Sequence, residues 1–435
     1  MRDAAEDEAT VGMEVFLTDT PGIGGRLRAT AEDFVVIEQS KPPPRQQGPY
    51  CVATITSTNW ETNHLVESLS SQLRISRNAI AFAGTKDKRA ITTQLMSFRA
   101  PVESVQAIAL RDVTISDVYP VANPLHLGAL LGNTFRLTVS GVTLAPRRRL
   151  EGVLADTLEQ LRDNDGAPNF FGIQRFGALR PCTHLVGRKL TEGDIEGAVM
   201  TYLGSPSQRE EDSLREVRTR LSQDHDFAAA LEAMPQALRF ERAMLHHLHT
   251  HAGDFRGALE QLPRNLTLMF IHAYQSYLFN RILSARIRSG LPLNDAVIGD
   301  LVLTADRNGA PRPADVVKVT AANVGATARQ VKAGRAFVSH AVFGMQTPLS
   351  EGDPGELERK VLDEEKVQAS DFSIRAIPRL TTKGVRREVL ASPFPMKVEV
   401  DLQDESRVDL NFRLGRGCYA TSVAREFLKA DTLSY

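Results

Sequence analysis

A chain of 435 residues, 42% hydrophobic and 24% charged, has an ordinary globular composition, and its length predicts roughly two or three domains rather than one core. Its formal charge of −1 excludes a uniformly basic chain, and its three cysteines, Cys51, Cys182 and Cys418, are too scattered for a disulfide framework or a Cys-rich zinc site. No apolar run reaches the roughly 20 residues of a membrane helix, and the acidic start MRDAAEDEAT lacks the segments of a secretory signal, so a cytoplasmic protein without a membrane partner is expected.

Asp33–Gln39 and Tyr50–Thr56 carry the β-branched content of strands, joined by the Pro-rich loop KPPPRQQG. Thr58 and Glu61 fit a capping box, after which Leu65, Val66, Leu69 and Leu73 mark one helical face. Asn78–Ala83 and Ile91–Phe98 read as strands, leaving Gly84–Ala90 as the connection. Phe135, Leu137 and Val139 alternate with Arg136, Thr138 and Ser140, as in a strand with one buried face. Leu150, Val153, Leu154, Leu158 and Leu161 then recur at helical spacing. A long apolar helix is predicted over Leu266–Ile287, stopped by Gly290, and TPLSEGDPGE (Thr347–Glu356) reads as a surface loop. The chain ends in a strand (Val408–Leu414), a turn (Gly415–Gly417) and a short helix (Ala420–Lys429).

Charge is segregated along this order. No acid lies between Asp117 and Glu151, a stretch holding Arg136 and the run Arg147, Arg148, Arg149. None lies between Asp165 and Glu192, where Arg175, Arg180, Arg188 and Lys189 fall, while acids collect in 210–226 and 351–371. Local field rather than net charge draws a polyanion; the alternative is charge spread over separate solvated faces. The sharpest feature is AGTKDKRAITTQ (Ala83–Gln94). Its Asp87 is the only acid between Glu67 and Glu103, and six Arg or Lys residues lie from Arg74 to Arg99. Surrounding cations favour the ionised form of a carboxylate, and a strand-to-strand loop presents it to a large substrate. The pattern predicts an acid working on a phosphate-rich molecule, against the blander reading of a solvated turn residue.

No GxxxxGK[ST], HExxH or GxSxG occurs, and Gly22, Gly24 and Gly25 miss the dinucleotide fingerprint. A nucleotide-dependent switch is therefore a remote alternative. His246, His247, His249 and His251 form one metal-like cluster, with Asp254 the nearest further ligand. Such spacing is more often a polar helix face, so no metal is predicted.

Four segments together, AEDFVVIE (Ala31–Glu38), AGTKDKRAITTQ, GNTF (Gly132–Phe135) and NFFGIQRFG (Asn169–Gly177), resemble the TruD family of tRNA pseudouridine synthases. AYQSYLFN (Ala273–Asn280) is similar to the archaeal and eukaryotic branch, and YATSVARE (Tyr419–Glu426) also matches. The resemblance implies isomerisation of uridine to pseudouridine in tRNA, usually at position 13, without a cofactor. It implies an α/β (α+β) fold: a mixed-sheet catalytic domain from residues 1–177 and 389–435, with an α/β TRUD domain inserted over 178–388. A monomer or weak oligomer is expected.

By the same resemblance the catalytic acid falls on Asp87, a base-contacting Asn on Asn133 and a stacking Phe on Phe135. Arg28 stands where relatives usually place a Lys, and Ser57 where they often place another; Arg and Lys are not interchangeable at a site that needs a planar fork. Further substrate contacts are expected from Phe34, Lys86, Lys88, Asn169, Phe171, Gln174 and Arg175. Asp87 would act as nucleophile or general base, with attack at the sugar, attack on the base and elimination to a glycal all open. The rival readings are a tRNA-binding protein or RNA chaperone on the same scaffold, or modification of another RNA.

Overall fold

The computed structural model describes residues 1–126 and 129–435. The chain forms two compact units, one of Thr18–Ala167, Asp306–Ala310 and Leu390–Tyr435, the other of Met1–Leu17, Pro168–Ala305 and Pro311–Val389.

The first unit is built on a nine-stranded mixed sheet. Its strands are β1 (Gly24–Arg26), β2 (Phe34–Ser40), β3 (Tyr50–Thr58), β4 (Ile80–Phe82), β5 (Ile91–Phe98), β6 (Val113–Val121), β7 (Leu130–Val142), β8 (Lys397–Val400) and β9 (Arg407–Gly415). They lie in the order β8-β9-β7-β2-β5-β3-β6, with β1 added beside β7 and β4 beside β5. Only the β2–β5 pair among these is parallel, Val35–Ile37 running alongside Ile91–Thr93. The predicted alternation sets the register: Phe135, Leu137 and Val139 of β7 are buried and Arg136 is exposed. Across β9 the same face continues as Val408, Leu410, Phe412 and Leu414, paired with Val139, Leu137, Phe135 and Asn133.

Helix α1 (Thr62–Leu73) lays Leu65, Val66 and Leu69 onto Cys51, Ala53, Ile55, Met96 and Phe98 of β3 and β5. Its start differs from the expected capping box. Glu61 itself is the N-cap, its carboxylate accepting the His64 N–H at 3.0 Å, because Thr58 still belongs to β3. Helix α2 (Arg147–Asp163) turns Leu150, Leu154 and Leu161 inward, and α3 (Ala420–Leu428) is buried along its whole length. Glu426 of α3 accepts from both the N–H (3.0 Å) and the hydroxyl (2.9 Å) of Thr18, which accounts for the acid in the YATSVARE segment.

The second unit sets helices beside a four-stranded antiparallel sheet ordered Pro311–Lys318, Leu301–Ala305, Ala336–Val342, Val385–Glu388. The predicted long helix is observed over Arg264–Arg288, with Gly290 beyond it at φ +74°. Its middle is buried nearly all round, and polar side chains within it find internal partners. Gln275 donates to the Phe343 carbonyl at 2.6 Å, and Arg286 grips Asp300 through bonds of 2.6 and 3.0 Å, both residues fully buried. The acidic segment expected as a loop to Glu356 instead enters a helix at Gly352–Glu364; its turn residues end at the first helical turn, where Asp353 suits the helix dipole. Among the described residues no helix is long and apolar enough to cross a membrane.

His184, on the helix Thr183–Thr191, lies between the rings of Tyr277 (5.1 Å, stacked) and Phe176 (5.4 Å, edge-on). Burial pushes its imidazole down to about 4, so the fold holds it neutral. As pH falls from about 6.5 toward 4, the unfolded chain takes up a proton that the native state refuses, and up to about 3 kcal/mol of stability is lost over that window. Urea unfolding measured from pH 7 to 4.5 should show this slope, and His184→Phe should flatten it.

Candidate active site

The loop Ala83–Ala90 connects β4 to β5, as the sequence predicts, and Lys86 ties it to the body of the unit. Its N–H donates to Thr62 Oγ1 at 2.7 Å, the Thr62 hydroxyl returns a bond to the Lys86 carbonyl at 3.5 Å, and its ammonium meets Glu38 Oε2 at 2.6 Å. The ammonium side chain is 5% exposed and the carboxylate 1%. Lys86, read as a substrate contact, is thus turned inward, away from any ligand approaching the loop. Lys88 and Arg89 are exposed.

Asp87 points the other way, its side chain 56% exposed. Its partner is Arg28, whose Nη2 donates to Asp87 Oδ2 at 2.6 Å. Arg28 is itself 12% exposed, and its guanidinium lies 4.0 Å from the centroid of the Phe34 ring. Burial lowers the guanidinium from its ordinary range, against the opposing pull of Asp87 and with a smaller push from Arg89. Arg28 holds a left-handed backbone at φ +58°, a conformation uncommon for a residue with a Cβ. The turn is fixed by Asp33, which is buried and accepts from the Thr30 N–H (2.9 Å) and from Arg407 (2.7 Å). Phe34 therefore serves as the bed of Arg28 and not as an exposed surface.

Cross-strand pairing places the remaining residues of this unit on one sheet face in two rows. Val36, Phe135 and Phe412 form one row, and Glu38, Asn133 and Leu414 the next. Phe135 lies between Phe34 (6.4 Å, edge-on) and Phe412 (5.6 Å), with 7% of its surface open. Asn133 Oδ1 and Arg28 Nε are buried and, among the described residues, without a hydrogen-bond partner. A buried acceptor or donor left without a partner is costly to fold. Ser57 is buried and shares a bond of 3.2 Å with Thr92. Arg147 is engaged by Glu151 (2.8 Å) and the Asp401 carbonyl (3.3 Å), while Arg148 and Arg149 are exposed.

The other four expected contacts belong to the second unit. Asn169 is fully buried, its Oδ1 accepting from Arg387 at 2.8 Å and its Nδ2 donating to the Glu388 carbonyl at 3.2 Å. Phe171 is covered by the Arg387 guanidinium at 3.9 Å and meets Phe279 edge-on at 5.4 Å. Asn280 brackets Phe171 with bonds of 2.9 Å to its N–H and its carbonyl, which explains the last residue of AYQSYLFN. Asn169 and Phe171, read as substrate contacts, support their own segment from within. Gln174 is exposed, and Arg175 is half-buried with Nε 3.4 Å from Ser276 Oγ.

The histidine cluster lies on the helix Arg239–Thr250 and just beyond its end. His247 and His251 stack at 4.7 Å, and His247 bonds Asp254 at 2.8 Å, but Asp254 caps the next helix through the Gly257 N–H at 2.9 Å. Among the described residues no group of three or more His, Cys, Asp or Glu could hold a metal ion.

Sequence reasoning missed Glu38, Thr62, Phe412 and Arg387. Glu38 carried the one available signal, an acid closing an otherwise apolar strand in AEDFVVIE.

Comparison with known proteins agrees with the architecture. The family profile of tRNA pseudouridine synthase D (TruD) matches residues 10–427. A Methanococcoides burtonii protein named "Probable tRNA pseudouridine synthase D" is 41% identical over 437 residues, covering 100% of this chain and 99% of that one. A Methanosarcina barkeri protein of the same name is 40% identical, covering 98% of both chains. A crystal structure assigned to tRNA pseudouridine synthase D (TruD) of Methanosarcina mazei superposes with a TM-score of 0.88 at 38% identity, over 99% of this chain and 100% of that one.

Because Asp87 is more than half exposed, its ion pair with Arg28 contributes little to stability; the Phe34 stack is worth more, about 0.5–2 kcal/mol. Arg28→Met should therefore cost about 1–2 kcal/mol in urea unfolding, and Asp87→Asn less than about 1 kcal/mol.

Proposed function

Since the chain belongs to the TruD family of tRNA pseudouridine synthases, we propose that it isomerises a uridine of tRNA, at position 13, with Asp87 as the reacting carboxylate. The observation that carries this assignment of Asp87 is its placement: a half-open carboxylate on a cation-rich loop, held from one side by a buried arginine.

Pseudouridine formation breaks the bond from base nitrogen to ribose, turns the uracil and rejoins it through carbon. No atom is gained or lost, so the reaction needs no co-reactant. It does need an ionised group beside the sugar and base, as nucleophile or general base. Arg28, donating to Oδ2, leaves Oδ1 of Asp87 to face the ribose. The uridine must first leave its stack at a cost of a few kcal/mol. On the proposed site the free Asn133 Oδ1 accepts the N3–H of uracil, and the Phe135 row closes the floor beneath the base. Lys88, Arg89, Arg148 and Arg149 are the exposed cations of this unit proposed to meet phosphates, with Gln174 and Arg175 as contacts from the other unit. The catalytic machinery is proposed to reside in the unit formed by distant parts of the chain, the other unit selecting tRNA by shape.

Purified protein incubated with unmodified tRNA transcripts should convert one uridine, mapped chemically at position 13. Asp87→Asn should bind the same tRNA within about threefold yet lose about 10³-fold or more in rate. A variant converting at near wild-type rate would remove Asp87 from the chemistry, and binding without conversion by the wild type would favour an RNA chaperone.

A further inference from the structure

Lys86 is joined to Asp87 by one peptide bond, yet its ammonium is committed elsewhere. Three contacts hold it: Glu38 on the ammonium at 2.6 Å, and the Thr62 hydroxyl at 2.7 Å from the N–H and 3.5 Å from the carbonyl. Glu38, Lys86 and Thr62 are all removed from solvent, whereas the flanking positions 85 and 87–89 are exposed. Glu38 also lies directly across from Asn133 on the paired strand.

We propose that Glu38 and Thr62 are positioning residues for Asp87, acting through Lys86. Glu38 captures the ammonium on one side of the acid, leaving Arg28 as the basic side chain bonded to the carboxylate. Thr62 fixes the peptide from which Asp87 projects. An ammonium left in that position without Glu38 is an uncompensated buried charge; swinging out of it, Lys86 would compete with Arg28 for Asp87. The idea rests on the reading of Asp87 as the reacting group.

Single-turnover conversion of unmodified tRNA by the full chain, with tRNA affinity and melting temperature measured on the same preparations, tests it. Glu38→Gln should lower the rate at least 30-fold with affinity within threefold, and Glu38→Gln combined with Lys86→Met should regain at least fivefold of that loss, since the competing cation is gone. Thr62→Val should lose about tenfold, and Thr62→Ser should stay within threefold of wild type. A Glu38→Gln or Thr62→Val rate within threefold of wild type, measured well below the melting temperature, overturns the proposal, as does a rate loss matched by equal loss of tRNA binding. Should Glu38→Gln not fold, Thr62→Val decides. Asp87→Asn serves as the separating control: activity there sinks the assignment of Asp87, whereas an inactive Asp87→Asn beside fully active Glu38 and Thr62 variants sinks only this inference.

Discussion

The structure around the Asp87 loop depends on two cations, each held by its own partner. Lys86 turns into the sheet and is neutralised by Glu38; Arg28 comes from a separate turn, rests on Phe34 and reaches Asp87. Each cation is largely withdrawn from solvent, at 5% and 12% exposure. A buried ion pair is a poor source of net stability. What this one supplies is a defined direction for a loop that is otherwise exposed.

The sheet beneath explains how such distant residues converge. β2, β7 and β9 are neighbours, and one face of them carries Phe34, Val36 and Glu38, then Asn133 and Phe135, then Phe412 and Leu414. The period of two in each strand puts the aromatic row and the polar row side by side. β9 begins at residue 407, so the row that supports Phe135 is completed only by the last part of the chain. A contribution from Arg407 to Asp33 ties the same strand to the turn that presents Arg28.

Much of this was legible from local pattern. The alternation at Phe135–Ser140, the loop at Gly84–Ala90 and the long helix ending before Gly290 follow from periodicity and turn residues alone, and the structure has all three. The motifs named the family that the comparisons show. What local pattern does not encode is partnership over distance. Glu38 and Lys86 are 48 residues apart, and Asn169 and Arg387 are 218 apart; no periodicity relates them. Lys86 reads as a substrate contact because its sequence neighbours are exposed. The capping-box reading at Thr58 erred for a related reason: strand pairing to Ile91 and Val113 on its flank extends β3 through Thr58, leaving Glu61 to cap.

Glu38 and Asp87 show why composition alone cannot assign chemistry. Both are carboxylates bonded at 2.6 Å to a basic side chain. Glu38 is sealed behind the loop, with its charge spent on Lys86, and no ribose could reach it without unfolding that contact. Asp87 keeps one oxygen on Arg28 and more than half of its side chain in solvent. Accessibility therefore separates the two acids: Glu38, on β2, is enclosed, and Asp87, on the loop, is open. Among the described residues Asn133 Oδ1 and Arg28 Nε are buried without a hydrogen-bond partner, a state that folding alone does not favour.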